Sequence, residues 1–220
     1  MTDRLSLYSY WRSSAAYRVR IGLNIKALPY DIAPVHLLRD GGEQHGAEFA
    51  AANPQQLVPV LQHGHRLLRQ SLAILEYLDE VWPTPPLLPA TARDRQRVRA
   101  LAQLVACDIH PLNNLRVMQY FERDWGVPTP ERDVWTRHWM VQGFDAFEAL
   151  LQNHPSTGPF CDGHAPTIAD CCLIPQVYNA RRFGVDLTPY PTIARIDAAC
   201  LALPAFDAAR PERQPDAPAT

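Results

Sequence analysis

Four prolines stand within the seven residues Pro83-Thr84-Pro85-Pro86-Leu87-Leu88-Pro89. No helix or inner strand runs through such a stretch, because each proline lacks an N–H donor and fixes its own φ. The chain must therefore fold as two parts, one on either side of this run. Before it, short alternating runs mix with helical spacing; after it only long helical patterns remain. Leu87 and Leu88 predict that the run lies against a neighbouring surface. The expected domains are 1–83 and 90–220, the first α/β and the second all-α.

In the first part, Leu5-Ser6-Leu7-Tyr8 reads as a strand and Tyr10–Leu23 turns into a helix. Ser13 and Ser14 sit at the junction and are good N-cap residues. Tyr17, Ile21 and Leu28, with Val19, Leu23 and Ile25, supply its core face. Tyr30–Val35 alternates like a strand, Asp40-Gly41-Gly42 marks a turn, and Ala47–Ala52 forms a short helix closed by Asn53-Pro54. Val58–Gln62 and Arg66–Leu68 form a hairpin around His63-Gly64-His65. Ser71 is expected to cap a helix through Trp82, with Leu72, Leu75, Leu78 and Val81 on one face. This order predicts a sheet with a parallel portion and helices packed on it. Helical patterns then cover Ala92 to about Phe121, Glu131–Leu151, Thr167–Phe183 and Pro191–Leu201. The polar, proline-rich tail from Pro211 is expected to drape or fray.

Charge and cysteine usage exclude several classes. A net charge of −2, from 21 basic and 23 acidic residues without a basic stripe, argues against nucleic acid. Arg93, Arg95, Arg97 and Arg99 are expected to form a solvated helix face. No apolar run reaches membrane-spanning length and no secretion signal opens the chain, so a cytoplasmic location is expected. The five cysteines are odd in number and lack a Cys-x-x-Cys pair, which predicts buried free thiols. The eight histidines show no ligand spacing, so no metal is expected.

Chemistry has several places to sit. A strand ending in a hydroxyl-rich turn at a helix N-terminus is an anion site. Ser13 or Ser14 there either holds a thiolate or simply caps the helix. Val58-Pro59 is expected to be an ordinary trans bond at a strand edge; a cis bond would turn the Val58 N–H and C=O toward an extended peptide. Ser71 is a second helix start, able to hold a carboxylate or merely to cap. Pro111 should kink its helix and free a carbonyl near Cys107. His110, Asn114 and Arg116 around it either line a cleft or face water. Thr167 and Asp170 have capping-box spacing and are read as structural. Arg181 and Arg182 suit a helix C-terminus without any ligand.

Taken together, these motifs resemble the zeta class of glutathione transferases. The matching segments are Tyr10–Ser14 with Arg18–Ile21, Asn53–Gln55, Val58-Pro59, Gln70–Ile74, Ile109–Pro111, Ala169-Asp170, Pro175–Val177, Arg182-Phe183 with Val185–Leu187, and Gln214–Asp216. The resemblance implies a thioredoxin-like N-terminal domain, an all-helical C-terminal domain and a homodimer. It implies that glutathione binds along Ser13, Ser14, Ala15, Ala16, Tyr17, Arg18, Gln44, Val58, Gln70, Ser71, His110, Asn114, Leu115 and Arg116. Arg12 and Arg182 resemble the groups that hold the substrate carboxylates. Many zeta enzymes carry cysteine where this chain has Ala15, so no protein cysteine acts there. His110 stands where some relatives have glutamine.

The implied reaction is cis–trans isomerisation of a diacid conjugated to a ketone, with glutathione regenerated each turnover. Its thiolate adds to the double bond, the resulting single bond rotates, and the thiolate leaves. Ser13 and Ser14 are the catalytic residues expected to keep the sulfur ionised. Lowering a thiol pKa from about 8.5 by roughly two units requires about 2.7 kcal/mol. A helix N-terminus supplies about 0.3–1 kcal/mol and a charge-assisted hydrogen bond about 1.5–3 kcal/mol. These two suffice without a general base. The substrate expected first is maleylacetoacetate. Maleylpyruvate, and conjugation in place of isomerisation, stay open.

Overall fold

The computed structural model describes residues 4–218. The chain packs as two compact units: one runs through Leu87 and takes in the chain again from Ala202, the other is Leu88–Leu201. The stretch from Ala202, expected within the second domain, thus packs with the first.

In the first unit, strand β1 (Leu5–Ser9) leads into helix α1 (Ser14–Ile25), then β2 (Tyr30–Pro34) and α2 (Ala47–Ala52). The hairpin β3 (Val60–His63) and β4 (Arg66–Arg69) and helix α3 (Ser71–Val81) complete its sequence of elements up to the proline run. The sheet order is β2-β1-β3-β4, parallel between β1 and β2 and antiparallel elsewhere, as expected of a thioredoxin-like domain. Leu5 and Leu7 of β1 point into a core with Val19, Leu23, Leu61, Ile74 and Leu78. Each such side chain contributes about 1.5–3 kcal/mol by leaving water. A β-carbon at Gly22 would land on Leu75 Cδ2, so glycine lets α1 and α3 approach closely.

α3 departs from expectation twice. Its N-cap is Gln70, at φ 68°, not Ser71, which is the first helical residue. Its buried face is Ile74, Leu75, Leu78 and Asp79, while Leu72 is half-buried and Val81 is 43% exposed. The buried Asp79 is matched by Lys26 at the end of α1, whose side chain is fully buried. Its Nζ donates to Asp79 Oδ1 at 2.8 Å, to Trp82 O at 2.6 Å and to Pro85 O at 2.5 Å. Asp79 Oδ1 also accepts the Leu87 N–H at 2.6 Å. This buried pair draws α3 round and fastens the proline run, whose Leu87 is fully buried. The Thr84-Pro85 bond within the run is cis.

The second unit is helical: α4 (Ala92–Gln103), α5 (Leu115–Trp125), α6 (Thr129–Leu151), α7 (Ile168–Arg182) and α8 (Pro191–Leu201). The helix expected from Ala92 to Phe121 is broken. α4 widens into a π-helical stretch at Leu104–Ile109, tightens to a 3-10 turn at His110–Asn113, and restarts as α5 behind Asn114. Pro111 lacks the N–H that an α-helix needs there and its ring crowds the preceding turn. Cys107, expected buried, is exposed on this widened turn; the other four thiols are buried.

Arg97 is not on a solvated face. It donates to Cys161 O at 2.8 Å, Asp162 Oδ1 at 2.6 Å and Thr157 Oγ1 at 2.8 Å, holding the loop before α7. The capping box forms as expected: Asp170 accepts the Thr167 N–H at 2.8 Å, and also the Cys161 N–H at 2.8 Å. Burial pushes the Asp170 carboxyl up, against the hydrogen bonds it accepts.

A short helix not expected from the sequence, α9 (Pro204–Ala209), returns the chain to the first unit. Asn24 Nδ2 donates to Ala205 O at 2.9 Å, and the tail beyond is draped in place with Gln214 buried. Among the described residues no helix is long and apolar enough to cross a membrane, and no group of three or more metal-ligating side chains gathers.

Asp79→Ala leaves Lys26 charged and buried with carbonyls alone, and urea denaturation should show a loss of about 3–5 kcal/mol. The double change Lys26→Met with Asp79→Leu should recover part of it.

Candidate active site

Sheet register decides what meets at one end of the first unit. Ser9 lies opposite Pro34, Tyr8 opposite Val60, and Val60 opposite Arg69. The C-terminal ends of β1, β2 and β4 and the start of β3 therefore lie side by side. The segments attached there carry Arg12, Ser13 and Ser14, then Gln44, then Val58, then Gln70 and Ser71.

Ser13 is the N-cap of α1, and its Oγ accepts the Ala16 N–H at 3.2 Å. The Tyr17 N–H goes to Ser13 O at 2.8 Å. An accepting hydroxyl keeps its own O–H free to donate. The Ser14 and Ala15 N–H groups and the Ser14 hydroxyl have no hydrogen-bond partner among the described residues. The helix therefore ends in two open amides with two hydroxyls beside them, where the peptide dipoles favour negative charge. Capping and anion holding are not alternatives here: Ser13 does the first through a lone pair and keeps a proton for the second.

Arg18, 2% exposed, donates from Nη1 to Ser71 Oγ at 3.2 Å. Ser71 is not capping its helix; it takes this bond in the first turn of α3, where Ile74 is the first amide to find a backbone acceptor, Gln70 O at 2.9 Å. The Arg18–Ser71 bond ties the two helix N-termini together. Gln70 Nε2 donates to Gln55 Oε1 at 2.8 Å. The Val58-Pro59 bond is cis, against the expected trans. The Val58 N–H and C=O take no partner among the described turn, loop and side-chain bonds. Gln44 is buried, its Nε2 donating to Leu37 O at 3.4 Å, while its Oε1 is buried without a partner among the described residues. A buried acceptor left open calls for a donor from elsewhere.

Ala16 is fully buried and Tyr17 2% exposed, both in the core, and their amides are already bonded within the cap. Arg12 is half-buried, its guanidinium carbon 5.4 Å from the Trp11 ring centroid.

In the second unit, Asn114 caps α5 through its Oδ1, which accepts the Arg116 N–H at 3.2 Å, and its Nδ2 lies 3.2 Å from His110 Nε2. Leu115 is half-buried and Arg116 exposed. Asn179 Nδ2 donates to Asn113 Oδ1 at 3.3 Å, joining this turn to α7 less than one turn before Arg182. Arg182 is exposed, 4.6 Å from the Phe183 ring centroid.

Arg20 has a role that sequence reasoning missed. It is fully buried, and donates to Ser9 Oγ at 3.1 Å and to Trp11 O at 2.9 Å. Its signals were its position between core residues at helical spacing and its place in the Arg18–Ile21 segment.

Residues 7–86 match the model of the glutathione S-transferase N-terminal domain. A Vibrio cholerae protein that bears the name "Probable maleylacetoacetate isomerase" is 54% identical over 213 residues, covering 97% of this chain and 98% of that one. The holo structure of a maleylpyruvate isomerase, described as a bacterial zeta-class glutathione transferase, superposes with a TM-score of 0.94 at 51% identity, over 97% of this chain and 100% of that one. A maleylacetoacetate isomerase of Methylobacterium extorquens AM1, solved with malonate and glutathione bound, gives a TM-score of 0.93 at 45% identity, over 97% and 100%.

The two serines should separate in a stability measurement. Ser13→Ala removes a cap and should cost about 1 kcal/mol in urea denaturation. Ser14→Ala, whose hydroxyl bonds nothing among the described residues, should stay within about 0.5 kcal/mol of the parent.

Proposed function

The chain belongs to the zeta class of the glutathione transferases, and on that footing we propose that it is a glutathione-dependent cis–trans isomerase converting maleylacetoacetate to fumarylacetoacetate in aromatic amino acid breakdown. The observation that carries this reading is the open N-terminus of α1, with two unbonded amides and two hydroxyls.

The residues present fit glutathione. Its peptide needs an extended partner, which Val58 offers. Its carboxylates need amides and a cation, which the α3 N-terminus and Arg18–Ser71 offer. Its donors suit the open Gln44 Oε1. Gln70 borders this path, and His110, Asn114, Leu115 and Arg116 are assigned to the cofactor on the class resemblance. When bound, glutathione supplies a sulfur nucleophile able to add to a conjugated double bond and leave it again.

Ser13 and Ser14 hold that sulfur in its charged form by donating their O–H groups, together with the Ser14 and Ala15 amides. Their hydrogen bonds and the helix end match the roughly 2.7 kcal/mol that two pKa units require. Arg12 and Arg182 hold the two substrate carboxylates, for which a planar guanidinium is suited. Ala15 offers no thiol, so the bond-forming atom comes from the cofactor.

Maleylpyruvate is the second reading, favoured by the 51% identity and 0.94 TM-score to a maleylpyruvate isomerase. The two substrates share the cis double bond, the ketone and both carboxylates, and differ in carbon count. We read the working form as a homodimer in the cytoplasm; the four buried free thiols support a reducing compartment.

An absorbance assay with each substrate, with and without glutathione, should show loss of the cis-enone only when glutathione is present, with product mass equal to substrate mass. A net glutathione adduct would make the protein a conjugating transferase instead. Replacing both Ser13 and Ser14 by alanine should lower turnover about 100-fold or more while changing glutathione affinity far less. Equal turnover in that double variant would refute the thiolate assignment.

A further inference from the structure

Asp216 takes no part in binding the cofactor or in the proposed chemistry. It lies beyond α9, in the part of the tail that packs with the first unit. Its Oδ2 accepts the Trp11 N–H at 2.8 Å. Its Oδ1 is buried and has no hydrogen-bond partner among the described residues.

Trp11 is also held from its other side. Arg20 Nη2 donates to Trp11 O at 2.9 Å, and Nη1 to Tyr10 O at 3.5 Å. Arg20 Nε donates to Ala209 O at 3.0 Å, at the end of α9. One residue of the β1–α1 turn is thus gripped at both its N–H and its C=O. Both grips lead to the C-terminal segment, Asp216 directly and Arg20 through Ala209. Arg12 comes next in the chain, its guanidinium over the Trp11 ring.

The tail does not need Asp216 to stay attached. Arg20 holds Ala209 and Asn24 holds Ala205. Gln214 folds the segment onto itself through Ala208 O at 3.1 Å and Arg210 O at 2.8 Å. What Asp216 adds is an ionised acceptor on one amide of the turn. A carboxylate binds an amide N–H more strongly than a neutral acceptor does.

We propose that Asp216 is a positioning residue for Arg12: it fixes the Trp11 peptide and ring so that the guanidinium stays aimed at a carboxylate of the diacid substrate. The proposal rests on the reading of Arg12 as a carboxylate-binding residue.

The test titrates malonate, a non-reacting diacid, into the glutathione-loaded protein by calorimetry, beside substrate kinetics and thermal melting. Asp216→Ala should raise the malonate Kd and the substrate KM about 5–10-fold, with kcat and glutathione Kd within about 2-fold. Asp216→Asn, which keeps a neutral acceptor, should recover about half of the loss. In an Arg12→Ala background, Asp216→Ala should add nothing further. Unchanged malonate binding in Asp216→Ala, an effect that adds to that of Arg12→Ala, or an equal loss of glutathione affinity would overturn the positioning role. If Arg12→Ala itself binds malonate as the parent does, the carboxylate reading of Arg12 falls instead.

Discussion

A fully buried guanidinium sets the shape of the turn between β1 and α1. Arg20 sits among apolar neighbours of α1 and directs its donors to Ser9 Oγ, the carbonyls of Tyr10 and Trp11, and Ala209 O. A charge taken out of water is tolerated only when such partners replace the solvent it loses. The carbonyls of a strand-to-helix turn are otherwise hard to satisfy away from water. Arg20 solves both problems at once, and Arg12, Ser13 and Ser14 are delivered in consequence. Removing it would leave the carbonyls of the turn without their donor and α9 with one fewer tie to α1, the Asn24–Ala205 bond remaining.

Arg18 does the equivalent work two residues earlier on the same helix. By bonding Ser71 it joins the N-terminus of α1 to that of α3, so two positive helix ends are held beside one another. Lys26, at the far end of α1, closes the set by drawing Asp79, Trp82 and Pro85 together. Three buried cations on a single helix thus organise the paired N-termini of α1 and α3, the β1–α1 turn and the proline run. The apolar core supplies most of the stability, and these cations decide the geometry.

Much of this was legible in the residues. The strand and helix order, the hairpin at His63–His65, the short helix Ala47–Ala52 and the Thr167–Asp170 box arise from local spacing and capping chemistry, and they form where expected. The break at Pro111 comes from a missing N–H. A hydroxyl-rich helix start was legible where Ser13 caps α1. Two details differ: Ser71 turned from cap to acceptor, and Val58-Pro59 from trans to cis. Each of these depends on a neighbour that the local sequence does not contain.

Local sequence dictated the elements and the division at the proline run, because backbone preference, side-chain period and proline geometry act within a few residues. It also dictated that no protein thiol stands at position 15, where the chain has Ala15. Long-range packing settled which charges are buried and what they hold. Periodicity places an arginine or lysine outward by default; it turns inward only when acceptors wait for it. Those acceptors lie 53 residues away for Arg18 and for the Lys26–Asp79 pair, and Arg20 joins acceptors 9 to 11 residues off to one 189 off. The carboxylate that holds Trp11 is 205 residues off. Contacts at such separations exist only once the sheet register and the returning tail have brought the segments together.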